Sequence, residues 1–153
     1  MYYSGEEIIE IAVRIEENGY AFYTAAAKAI NKENDIKGLF LDLAEKELHH
    51  ITIFQELAKR FEAEKFEFNL DEAEDYINYL AGQHIFGKAG AGVELAKSVH
   101  NPREALEIAL KFENDSVTFY TELEKRTESD AKRLLHQVIE EEKEHAREIE
   151  GFI

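Results

Sequence analysis

Residues 11–24 read IAVRIEENGYAFYT, and residues 108–121 read IALKFENDSVTFYT, at a constant offset of 97 positions. The two strings share Ile, Ala, Glu, Phe, Tyr and Thr, so Glu16 and Glu113 occupy equivalent positions. A second pair follows, because residues 35–50 read DIKGLFLDLAEKELHH and residues 130–145 read DAKRLLHQVIEEEKEH. Apolar residues recur with helical spacing in all four strings. The chain is therefore interpreted as a duplicated helical hairpin.

Start signals divide the chain into four long helices. Ser4-Gly-Glu-Glu7 has the form of a capping box, Asn34 or Asp35 can cap the second helix, and Asn101-Pro102 is a typical helix start. Thr127 to Asp130 forms a short connection into the last helix. The predicted helices span residues 5–30, 36–63, 102–126 and 130–150.

The segment 64–101 is too long for a hairpin connection. It contains a predicted short helix over 71–81, a glycine-rich stretch and room for a further helical turn. The glycines lack the Lys-Ser/Thr and the preceding strand of a phosphate loop, which favours a linker role. Two short connections and one long crossover predict an all-α fold of two antiparallel helix pairs, in a single domain over 1–153.

Composition restricts the partners. The chain has 33 acidic and 18 basic residues and a formal charge of -15, which disfavours nucleic acid and anionic membranes and favours cations. It contains no Cys, so these residues can form neither a disulfide nor a thiolate metal site. The N-terminal MYYSGEE lacks the basic region and apolar run of a signal peptide. A cytoplasmic location is the expectation.

Each hairpin carries one Glu on its first helix and a Glu-x-x-His on its second. Residues three apart on a helix share a face, so each Glu-x-x-His can present a carboxylate and an imidazole to one metal ion. These polar residues interrupt the apolar faces of their helices, and we therefore expect them to point into the bundle. The candidate metal ligands are Glu16, Glu47, His50, Glu113, Glu142 and His145.

Four buried ionised carboxylates would repel one another and lose their hydration, unless a cation offsets the cost. Two divalent ions cancel the four charges; the alternative is protonated acids with raised pKa values. Mixed carboxylate and imidazole ligands suit iron or manganese better than calcium, and zinc remains an alternative. Two iron ions are the expected cofactor.

In a chain this rich in Glu, a single Glu-x-x-His is expected by chance on a solvated face. Two such motifs at matching positions of a repeat, each with a Glu in an apolar stripe, favour a metal site instead. Tyr23 and Tyr120 follow the helix-one and helix-three Glu by two turns, and either donate to ligand carboxylates or simply fill the core. The remaining histidines are expected in surface or structural roles; they are His49, His84, His100 and His136.

The order Glu16, Glu47-x-x-His50, Glu113, Glu142-x-x-His145 resembles the rubrerythrin and ferritin-like di-iron carboxylate family. The strings EENGYAFY and AEKELHH are similar to rubrerythrin sequences. The resemblance covers nearly the whole chain. It implies a ferritin-like four-helix bundle and a di-iron site on these six residues.

Two departures from the family pattern bear on activity. Rubrerythrins usually also carry a Cys-ligated rubredoxin domain, whereas this sequence has no Cys, so the resemblance implies a separate electron donor such as a rubredoxin. Typical members have an extra Glu one turn after the first ligand of the third helix, where Ser116 stands here. The resemblance therefore implies the metal site more directly than efficient peroxide reduction.

The expected function is that of an oxidoreductase, peroxidase-like or ferroxidase-like, which reacts with peroxide or dioxygen as a homodimer. An iron-binding ferroxidase or storage protein is the first alternative, because an acidic surface concentrates cations. A structural bundle that the metal only stabilises is the second.

Overall fold

A computed structural model describes residues 3–30, 34–63, 68 and 73–153. Over these ranges the chain forms helices and no strand, which confirms the predicted all-α class. The helices are α1 (Gly5–Ala29), α2 (Asp35–Glu62), α3 (Glu74–Gln83), α4 (Ala91–Ser98), α5 (Pro102–Lys125) and α6 (Ser129–Glu150). Among the described residues, no helix combines the length and apolar character needed to cross a membrane.

Side-chain caps fix three of the helix starts. The predicted capping box is present at α1, where the Ser4 hydroxyl accepts a hydrogen bond from the Glu7 amide and the Glu7 carboxylate accepts one from the Ser4 amide. Asn34, rather than Asp35, caps α2. Asn101 caps α5 with Pro102 in its first turn. Each long helix lies within one residue of its predicted bounds at either end.

The long helices pack as two hairpins. Helix α1 packs along α2 and α5 along α6, while α2 also contacts α6 and α1 contacts α5. Because the connections within each hairpin are short, the helices of a pair run antiparallel. The apolar faces meet in one core whose largest fully buried side chains include Tyr23, Tyr120, Phe22, Phe40, Phe54, Phe86, Phe112 and Phe119.

The crossover folds back on the bundle. Helix α3, which contacts α5, lies largely within the predicted 71–81 helix, of which residues 71 and 72 fall outside the described residues. Helix α4, the further turn expected from sequence, packs on α1. The buried Asn18 amide joins the crossover to α1, since its nitrogen donates to the carbonyls of Phe86 and Lys88, both at 2.8 Å.

The sequence predicts only a linker role for the glycines of the crossover, but Gly92 also packs directly against α1. Its amide donates to the Asn18 side chain at 3.3 Å, and a Cβ at this position would collide with the Asn18 carbonyl oxygen. Only a residue without a side chain lets α4 approach α1 this closely.

We expect Gly92→Ala to destabilise the protein by roughly 1–3 kcal/mol, because the added methyl group must push α4 away from α1. Gly38→Ala is the matched control, since Gly38 is an exposed helical glycine whose Cβ would meet nothing within 4 Å. That change should stabilise the protein by roughly 0.5–1 kcal/mol. Chemical denaturation measures both effects, and equal behaviour of the two variants would contradict the close α1–α4 contact.

Candidate metal centre

The six predicted site residues converge at the centre of the bundle. The carboxylates of Glu16, Glu47, Glu113 and Glu142 are 0% exposed, and the imidazoles of His50 and His145 are 1% exposed. Helices α1 and α5 supply one Glu each, while α2 and α6 supply one Glu-x-x-His each. The helix faces that the repeat predicts therefore meet in one place.

The cluster divides into two overlapping groups. In each group, one ligand atom from every residue lies within 4.8 Å of the others, a spacing that a metal ion with bonds of about 2.0–2.2 Å can bridge. We call the first group, Glu16, Glu47, His50 and Glu142, the His50 half-site. The second, Glu47, Glu113, Glu142 and His145, is the His145 half-site. Glu47 and Glu142 belong to both groups, so each could help to hold either of two ions.

Both imidazoles face the carboxylates with their Nδ1 atoms. His50 Nδ1 lies 2.6 Å from Glu142 Oε1 and 3.6 Å from Glu16 Oε2. His145 Nδ1 lies 3.5 Å from Glu113 Oε1 and 3.7 Å from Glu47 Oε1. The two rings stack with centroids 5.6 Å apart. Both Nδ1 atoms are thus directed at the shared carboxylates.

Many polar atoms of the cluster have no hydrogen-bond partner. They include both oxygens of Glu47 and of Glu142, one oxygen each of Glu16 and Glu113, and Nδ1 of both histidines. Even the 2.6 Å contact between His50 Nδ1 and Glu142 Oε1 lacks the geometry of a hydrogen bond. Unpaired buried polar atoms are costly and uncommon in folded proteins. A donor set of carboxylates and imidazoles that lacks partners and points inward fits a pair of divalent cations.

The pKa shifts that the cluster has without a metal ion also favour the binding of cations. Burial, followed by repulsion from neighbouring carboxylates, raises the pKa of Glu47 and that of Glu142 well above the usual value. Burial alone would lower the pKa of His50, but Glu142 and Glu141 outweigh it and raise that pKa. Glu47 and Glu142 therefore bind a proton more readily than a solvent-exposed Glu does, and bound metal ions would compete with those protons.

The two tyrosines cross between the hairpins. Tyr23 of α1 donates to Glu113 of α5 at 2.6 Å, and Tyr120 of α5 donates to Glu16 of α1 at 2.8 Å. Burial, with the nearby carboxylate charge, raises both tyrosine pKa values well above 10.0, so the hydroxyls stay protonated and donate. Of the two sequence-based alternatives, the structure favours donation to the candidate ligands.

Sequence reasoning missed one residue of the site. Glu141 of α6 lies 2.7 Å from Nε2 of His50, on the ring edge opposite the cluster. A carboxylate at this place orients an imidazole ligand and increases its basicity. No sequence signal singles out Glu141, because it is the middle residue of the run Glu140-Glu-Glu142, and only the contact between α2 and α6 brings it to His50.

Ser116, which stands where the family pattern has an extra Glu, is fully buried and paired. His84 of the crossover lies 2.9 Å from its hydroxyl, and the Phe86 amide donates to His84 Nδ1. Nδ1 is thus an acceptor, so Nε2 carries the proton and donates to Ser116. His84 therefore has a structural role, whereas His49, His100 and His136 are exposed, and both outcomes agree with the sequence-based expectation.

The fold and the buried cluster together define a four-helix-bundle carboxylate protein with a site suited to metal ions. A family model described as Rubrerythrin matches residues 7–153. The chain belongs to the rubrerythrin family. Searches of curated proteins and of solved structures returned no significant match.

The buried His84 predicts a pH effect on stability. Burial lowers its pKa from 6.5 to about 4, so the folded protein resists the proton that the unfolded chain accepts below pH 6.5. Stability should therefore fall as the pH drops from 6.5 towards 4. This contribution amounts to about 3 kcal/mol for a shift of that size.

Urea denaturation of the metal-free protein across this pH range provides the measurement. The stability difference between wild type and His84→Gln should shrink by about 3 kcal/mol on acidification, because Gln cannot take up the proton. His100→Gln, which changes an exposed imidazole, should follow wild type. Parallel curves for wild type and His84→Gln would show that His84 does not titrate as expected.

Proposed function

We propose that the cluster binds two iron ions and that the loaded protein is an oxidoreductase that reduces peroxide or dioxygen. The observation that carries this proposal is the convergence of unpaired carboxylate and imidazole atoms into two groups that share Glu47 and Glu142. Four carboxylates neutralise two divalent ions, and nitrogen with oxygen donors suits iron. Membership of the rubrerythrin family supports the same metal.

Iron, when bound, supplies the electrons: reduction of one peroxide to two waters takes two electrons and two protons, one electron from each ferrous ion. The protein supplies the surroundings. Tyr23 and Tyr120 hold the carboxylates of Glu113 and Glu16 in place by hydrogen bonds. The closely packed aromatic core keeps bulk water away from the carboxylates, which strengthens their interaction with cations.

The wider setting is also a proposal. The electrons come from a donor such as a rubredoxin outside these 153 residues, which contain no Cys and therefore cannot themselves ligate a rubredoxin-type iron. We further propose a homodimer that works in the cytoplasm.

Iron handling is a second candidate function. The formal charge of -15 favours the attraction of cations to the surface, which suits a ferroxidase. Storage in addition requires a hollow cage, so a monomer or dimer in size-exclusion chromatography would exclude storage while leaving ferroxidase activity open.

Removal of a shared carboxylate should empty both half-sites. We expect Glu47→Ala and Glu142→Ala each to reduce bound metal from about two ions per chain to nearly none, because each residue belongs to both groups. Metal analysis after anaerobic purification measures this. Glu45→Ala, which removes an exposed carboxylate on the same helix, is the control and should retain the metal. Unchanged metal content in the first two variants would refute the site.

Reactivity is tested on the iron-loaded, reduced protein under anaerobic conditions. Stoichiometric peroxide should oxidise it faster than air-saturated buffer does, as followed by absorption spectroscopy. The Glu142→Ala variant should give no such signal. Oxidation by peroxide at only the rate seen in air would contradict the peroxidase assignment and favour a ferroxidase. Loaded protein that changes under neither oxidant would favour a purely structural role for the metal.

A further inference from the structure

The two half-sites are related by the internal repeat, yet the residues just before the two shared carboxylates differ in charge. Glu47 and Glu142 occupy equivalent places, at an offset of 95 residues. The residue before Glu142 is Glu141, whereas the residue before Glu47 is Lys46. Equivalent backbone positions therefore present an acid on α6 and a base on α2.

The acid supports the imidazole of the opposite hairpin. Glu141 lies 2.7 Å from His50 Nε2, while His50 Nδ1 faces the cluster. Carboxylates thus lie at both nitrogens of the ring, and Nδ1 is the nitrogen that would bind a metal ion in the half-site. A negative charge at the outer nitrogen increases the electron density that the inner nitrogen offers to a cation.

His145 lacks the corresponding support. Its ion-pair contacts run through Nδ1, and no carboxylate of the described residues pairs with its Nε2 atom. Lys46, at the position that would match Glu141, is instead engaged with Asp42 at 3.0 Å and with Glu148 at 3.6 Å.

His145 also borders a surface pocket. It lines a pocket of about 160 Å³ together with Lys46, His49, Glu141 and Glu144. That volume is enough for roughly five water molecules. Both imidazoles are 1% exposed, but His145 is the only one of the six candidate ligands that lines this pocket, whereas Glu141 lies at the outer nitrogen of His50.

We propose that the two half-sites bind metal unequally: the His50 half-site retains its ion, and the His145 half-site exchanges its ion with solvent through the pocket beside Lys46. This inference rests on the proposed metal-binding function. Loss of an outer partner of a histidine ligand typically weakens metal binding 10- to 100-fold, and we expect a difference of about that size between the half-sites. Glu141 is a positioning residue, since it acts on the metal only through His50.

The terminal carboxylates allow each half-site to be measured alone. Glu16 belongs only to the His50 half-site and Glu113 only to the His145 half-site. Each accepts one tyrosine hydrogen bond, so Glu16→Gln and Glu113→Gln are matched changes. Glu113→Gln leaves the His50 half-site intact, and Glu16→Gln leaves the His145 half-site intact.

Titration with Co²⁺, followed by visible absorption and calorimetry, gives the affinity of each half-site. Glu113→Gln should bind one ion about 10- to 100-fold more tightly than Glu16→Gln does. Addition of Glu141→Gln should weaken binding about tenfold in the Glu113→Gln protein and leave the Glu16→Gln protein unchanged. Equal affinities, or equal weakening of both half-sites by Glu141→Gln, would overturn the inference.

Wild type and the single variant Glu141→Gln provide a second test that spares the buried residues. In the presence of a chelator, wild type should release its two Co²⁺ ions in two separate phases, and Glu141→Gln should bring the phases closer together. Two ions released from wild type in a single phase would overturn the unequal half-sites while leaving the di-metal site in place. A wild-type protein that binds no Co²⁺, Fe²⁺ or Mn²⁺ would overturn the proposed function itself.

Discussion

Four carboxylates lie within an apolar helical bundle, and the free-energy cost of their burial governs the rest of the structure. Glu16, Glu47, Glu113 and Glu142 are fully buried, and repulsion among them adds to the loss of hydration. Burial of unpaired charge is among the most costly features a fold can contain. The raised pKa values of Glu47 and Glu142 let protons reduce this cost, and two divalent cations can offset it when the site is filled.

Much of the surrounding structure holds these carboxylates in place. The tyrosine hydrogen bonds cross between the hairpins. Tyr23 of the first hairpin donates to Glu113 of the second, and Tyr120 of the second donates to Glu16 of the first. The crossover closes the bundle through the Asn18 contacts with Phe86 and Lys88. The contacts that join the two hairpins thus include those that orient Glu113 and Glu16.

Duplication gives the site its near symmetry, and the departures from symmetry distinguish its two halves. Ser116 of α5 corresponds in the repeat to Gly19 of α1. The Ser116 hydroxyl forms a hydrogen bond with His84, whereas Gly19 has no side chain to do so. Glu141 and Lys46 differ in the same way at the outer edges of the histidines. A symmetric set of ligands thus lies within asymmetric surroundings, which is how two ions in one site can acquire different exchange rates.

The sequence by itself determined the helical class, the helix starts and which residues face inward, because capping and helical periodicity are local properties of the chain. It also identified Glu16, Glu47-x-x-His50 and their equivalents as candidate ligands through the repeat. Only the tertiary structure decided that Tyr23 and Tyr120 bond across the hairpins, that Glu141 contacts His50 and that Gly92 allows α4 to approach α1. These contacts join residues on different elements, and their geometry depends on how the helices pack rather than on any local pattern.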